Sequence, residues 1–89
     1  MFTGTMTVDT SGEWLVARSV SNHIHIAEDD QRGTADWTMQ APDASSPVVT
    51  VPAGQARDIF TAGRFLPGEK VALLAAATGS MTFTWMEML

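Results

Sequence analysis

Two histidines one residue apart, His23 and His25, form the only constellation in this chain with the spacing of a metal site. Side chains at i and i+2 of a strand share a face about 6.5–7 Å apart, close enough for two imidazoles to reach one ion. Glu28 or Asp30 would add a carboxylate. The competing reading is two solvated histidines on the wet face of a strand whose Ile24 and Ile26 do the packing. Zinc sites take three or four protein ligands, so two histidines without a third do not make one. The expectation is no metal, with His23 and His25 as the candidates to check.

The other candidate chemistries fail on spacing. Glu28, Asp29 and Asp30 are the densest acidic group, and Gly33 follows them. A calcium loop needs carboxylates that alternate at fixed offsets, which this run lacks, so it reads as a solvated hairpin loop. Glu13 and Glu87 would be the pair for glycoside hydrolysis, but the sequence offers no cleft to hold a sugar between them. No serine stands in a nucleophile elbow, no glycine-rich phosphate loop or dinucleotide fingerprint occurs, and there is no cysteine. The expectation is a protein that is not an enzyme and uses no cofactor.

Charge and composition narrow the partners. The net charge is −5, and the five cations, Arg18, Arg32, Arg57, Arg64 and Lys70, are scattered. A nucleic-acid binder needs a clustered positive patch to displace counterions from phosphate. Neither nucleic acid nor an anionic membrane is expected as a partner. The longest apolar run, Val71 to Ala77, is far short of the ~20 residues that cross a bilayer. The start of the chain lacks the basic region and apolar core of a signal peptide. Absence of cysteine suits a reducing compartment or a particle assembled in one.

The elements that must position any site are strands. Met81-Thr82-Phe83-Thr84-Trp85 puts large apolar residues at every second position, which loads one face of a strand and wets the other. Strands are expected at Thr5–Asp9, Glu13–Val20, His23–Ala27, Thr34–Gln40, Val48–Val51, Lys70–Ala77 and Met81–Met88. In the second, Trp14, Val16 and Val20 would face inward, with Arg18 interrupting them. Pro52 to Arg64 reads either as a turn of helix or as a bulged strand. Ser21-Asn22, Ala41 to Pro47, Pro67-Gly68 and Thr78-Gly79-Ser80 are the breaks, the last read as a hairpin. No helix is long enough for a crossover between parallel strands. The chain is therefore expected to be one domain, residues 1–89. Its fold would be all-β, a single antiparallel β-sandwich (jelly-roll or Ig-like) of about seven to eight short strands. The expected core is Trp14, Ile24, Ile26, Trp37, Met39, Phe83 and Trp85.

The ends of the chain are unusually apolar. Phe2 and Met6 begin it, and Met86, Met88 and Leu89 close it. After Thr84 both faces of the last strand become apolar, more than one inner side can bury. Phe2, Met86, Met88 and Leu89 are therefore the candidate interface, to be covered by a partner or a sister subunit. Methionine suits such a surface because it adapts its shape. The alternative is cover from a loop of the same chain.

Several segments together resemble a loose class of short all-β virion proteins of tailed bacteriophages. They are the tryptophan strand Glu13-Trp14-Leu15-Val16-Ala17, the histidine/isoleucine strand after it, and the Ala41-Pro42 connection leading to Val51. The Pro67-Gly68-Glu69 turn before an Ala/Leu strand and a last strand closing in Glu complete the likeness. The resemblance implies a structural role: a capsid decoration (cement) protein that binds and stabilises the capsid lattice, or a fibre-type subunit. Implied partners are the major capsid protein or another virion protein, with a homo-oligomer, trimer or dimer, located in a virion assembled in the host cytoplasm. It implies no catalytic residue, and the chain lacks the long shaft of a fibre. A trimer with His23 and His25 at its axis would resemble the iron-tipped spikes of contractile phage tails, though no shaft precedes this strand. The alternative is a carbohydrate- or receptor-binding module of a tail or head fibre, in which Trp14, Trp37 and Trp85 stack on sugar faces.

Overall fold

The computed structural model describes residues 2–20, 22–29, 35–40, 48–60 and 65–88. Eight strands follow one another along the chain: β1 (Phe2–Val8), β2 (Glu13–Val16), β3 (His23–Glu28), β4 (Trp37–Gln40), β5 (Val49–Val51), β6 (Ala56–Phe60), β7 (Lys70–Ala76) and β8 (Met81–Met88). They form two four-stranded antiparallel sheets, one in the order β1-β8-β3-β6 and the other in the order β2-β7-β4-β5. The expected all-β fold of two antiparallel sheets is what the chain adopts.

Strand order forces a correction. Thr78-Gly79-Ser80 does not close a hairpin, because β7 and β8 belong to different sheets. Gly79 sits at φ 62°, a left-handed conformation that glycine adopts without a Cβ clash, and the chain uses it to cross from one sheet to the other. Of the connections between consecutive strands, only β4 to β5 joins neighbours in one sheet. A turn signal marks where a strand ends but carries no information about which sheet receives the next one.

The core lies between the two inner faces. Ile24, Ile26, Phe83 and Trp85 project from the first sheet, and Leu15, Trp37, Met39 and Leu74 from the second. The Trp37 and Phe83 rings meet edge-to-face at 5.0 Å between centroids, joining the sheets near the middle of the sandwich. β7 is rich in Leu and Ala, which favour helix, yet it is a strand. It hydrogen-bonds to a neighbour on each side, and Ala72, Leu74 and Ala76 point into the core in strict alternation. Tertiary pairing overrides a propensity difference of a few tenths of a kcal/mol per residue, as an order of magnitude.

Two further expectations are corrected. β2 presents the opposite face to the one anticipated: Leu15 and Ala17 are buried, while Val16 and Val20 are exposed and Trp14 is half-buried. The pairing shifts register between Leu15 and Val16, an irregularity at the edge of the sheet. Trp14 instead lies across from Leu73 on the outer side, with the Lys70 ammonium 6.0 Å from its ring centroid. Trp14 therefore leaves the core; the other six expected core residues are buried. Within the uncertain stretch from Pro52 to Arg64, residues 56–60 form a strand rather than a helical turn, and residues 61–64 lie outside the described residues.

Glu28 also departs from expectation. It ends β3 with its side chain buried, not in a solvated loop, and its Oε2 accepts the Gly54 N–H at 3.3 Å. Asp30 and Gly33 lie outside the described residues, as do Ser21 and residues 41–47 and 61–64.

Candidate interaction face

Cross-strand partners in an antiparallel sheet share a face, so the register of the first sheet assembles its outer surface row by row. Met88 faces His23, which faces Phe60. In the next row Thr3 faces Met86, Met86 faces His25, and His25 faces Asp58. Beyond that the face turns small and polar, with Thr5, Thr84, Ala27 and Ala56. One half of this surface is thus methionine, histidine and phenylalanine, flanked by Thr3 and Asp58, and the other half is threonine and alanine.

Phe60 is the most exposed large apolar residue of the described chain, at 70%. Its ring stacks on His23 with centroids 4.3 Å apart and planes 24° from parallel. Met86 and Met88 are half-buried on β8, an interior strand of the sheet; Met86 is paired on both sides, with Thr3 and His25, and Met88 with His23 of β3. Two of the four expected interface residues, Met86 and Met88, therefore stand together.

Phe2 does not join them. It pairs with Glu87, so it projects to the opposite side of the sheet, at its open end, where it is 46% exposed. Leu89 lies outside the described residues.

The two histidines meet one carboxylate. Asp58 Oδ1 is 2.8 Å from His23 Nε2 and 2.8 Å from His25 Nδ1. An ionised carboxylate only accepts, so both ring nitrogens must carry the hydrogen and donate it. The hydrogen bond from His23, followed by that from His25, holds the Asp58 carboxyl below its ordinary value of 3.8. The geometry is that of hydrogen bonding. Among the described residues no group of three His, Cys, Asp or Glu side chains is placed to hold a metal ion.

Asp58 and Phe60 were missing from the sequence reading. A signal was present: with Ile59 inward, period-two alternation sends both of its neighbours outward, but two glycines close by obscured the strand.

Behind the same sheet, Glu87 is fully buried. Its Oε1 accepts the Arg18 N–H at 2.6 Å, and its Oε2 accepts the Ser19 N–H at 2.9 Å and the Ser19 hydroxyl. A carboxylate on the last strand of one sheet thereby holds the segment that leaves the other. Glu13 is exposed and lines a groove of about 340 Å³ between the edges of β1 and β2, along with Thr5, Met6, Trp14, Arg18 and Trp85. The Arg18 guanidinium lies 5.9 Å from the centroid of Trp85. Trp37 and Trp85 are buried, so of the three tryptophans only Trp14 offers part of its ring to a ligand.

Compared by sequence and by structure, the chain matched no family model, no curated protein and no solved structure.

Proposed function

We propose that this protein is a structural binding module of a bacteriophage virion, a capsid decoration protein that docks on the lattice of a larger shell protein. The docking surface is the methionine half of the outer face of the first sheet. The observation that carries this reading is the contiguous patch of Met86, Met88, His23 and Phe60. Phe60, 70% exposed, stacks on His23, which has Met88 on its other side, and a contiguous group of this kind suits an interface core, which favours aromatic residues and methionine. Burying such a patch removes apolar area at about 25 cal/mol per Å². The jelly-roll form of the sandwich belongs to the same proposal. The strand orders β1-β8-β3-β6 and β2-β7-β4-β5, with nearly every connection crossing between sheets, support it over an Ig-like arrangement.

The test is Met86→Lys combined with Met88→Lys. Phe83 and Trp85 remain on the inner face, so the double variant folds and melts cooperatively. Each ammonium would be desolvated at the contact, so binding to the purified shell is lost. A folded double variant that binds the shell as the parent does overturns the assignment of this face.

A carbohydrate- or receptor-binding module is the second reading, and the half-exposed Trp14 at the β1–β2 groove favours it. It predicts that the parent binds a glycan and that Trp14→Ala abolishes this binding without unfolding the domain.

A further inference from the structure

The two sheets have four edges, and three of them are guarded against pairing with another strand. β2 has four residues and an irregular register at Leu15 and Val16. β5 has three residues and runs directly into Pro52. β6 carries Arg57 and Asp58. Short length, register breaks, proline and charge are the devices by which natural sheets block edge-to-edge pairing. β1 has none of them. Its seven residues, Phe2-Thr3-Gly4-Thr5-Met6-Thr7-Val8, include no charge and no proline, and they pair with β8 without a register shift. The backbone groups on its other side belong to no strand of the described chain.

We infer that β1 pairs antiparallel with the β1 of a second copy of this chain, making one continuous eight-stranded sheet across a two-fold axis. This goes beyond the shell docking proposed above and does not depend on it. The strand is its own complement. Full overlap of two such segments puts Thr5 opposite Thr5, Thr3 opposite Thr7, Gly4 opposite Met6 and Phe2 opposite Val8. No like charges meet anywhere along the seam, although the chain as a whole carries −5. The exposed Phe2 gains an apolar neighbour, and the second copy's Met6 comes opposite Gly4, beside the Trp85 indole that covers that glycine. The groove between β1 and β2 leaves room beside the seam for the added strand's inward side chains. Two-fold pairing closes at two copies because each has one such edge.

Thr5→Lys and Thr5→Glu test the axis. Thr5 is exposed, so both variants keep the fold. Mass is measured by light scattering at about 100 μM, where a micromolar pair is mostly assembled. The parent is expected to assemble, each variant alone to have half the parent's mass, and an equimolar mixture to recover it, since lysine then faces glutamate. A parent with the mass of a single chain, 9.6 kDa, overturns the inference, as do variants that keep the parent's mass. Should a variant fail to melt cooperatively, amide exchange of the parent decides instead. Slower exchange of β1 amides at higher protein concentration supports the pairing, and exchange independent of concentration overturns it. Met86→Lys with Met88→Lys keeps the dimer mass here, so loss of shell binding and loss of pairing are read separately.

Discussion

Gly4 lies directly across from Trp85, and a methyl group placed on Gly4 would stand 2.7 Å from the indole ring. The ring lies flat where a side chain of β1 would otherwise be. Gly4→Ala is therefore expected to destabilise the fold by about 1–3 kcal/mol, the usual cost of overpacking. Denaturant unfolding checks it, and a midpoint equal to the parent's would mean that the ring moves aside without strain.

The buried Glu87 carries a second prediction. Its carboxylate accepts from Arg18 and twice from Ser19, and hydrogen bonds to a charged group contribute about 1.5–3 kcal/mol each. Glu87→Ala strands those donors and is expected to cost at least about 3 kcal/mol. Glu87→Gln retains one acceptor oxygen and should lose less. Equal losses for the two variants, measured by calorimetry, would show that volume rather than hydrogen bonding sets the cost.

Trp37 is fully buried against Phe83, and its indole N–H has no hydrogen-bond partner among the described residues. Trp37→Ala should cost about 3–5 kcal/mol from the cavity alone. Trp37→Phe removes the unpaired donor along with part of the ring and should cost clearly less than its lost volume suggests. A soluble Trp37→Ala protein that melts with the parent would remove this residue from the core.

Acid stability should depend on Asp58. Its carboxyl titrates lower in the folded chain than the ordinary 3.8. The stabilisation is therefore complete above that value and is lost as pH falls through the depressed folded value. Solvent exposure keeps the effect small. Parent and Asp58→Asn should differ in melting temperature at neutral pH and converge in strong acid. An NMR titration midpoint for Asp58 at or above 3.8 contradicts the hydrogen-bonded arrangement with His23 and His25.

Alternation of side-chain type was enough to identify strands and their faces wherever the pattern was clean. Met81 to Trp85 and His23 to Ile26 could be read residue by residue because period two is a local property of extended backbone. The outward position of His23, His25, Met86 and Met88 followed from it. Where the pattern was ambiguous, long-range contacts decided. β2 offers an apolar residue on either face, and packing of Leu15 across from Ala72, rather than the size of Trp14, chose the inner one. Glu87 is the one charged residue in an otherwise apolar end of the last strand, and donors from residues 68 and 69 positions earlier in the chain make its burial favourable. The histidines acquired Asp58, and Phe60 its stacking partner, only when β6 settled beside β3. Which sheet each strand enters, and therefore which side chains form a surface together, is set by contacts between distant segments. Local backbone preference is blind to them, because every strand in isolation has the same two faces.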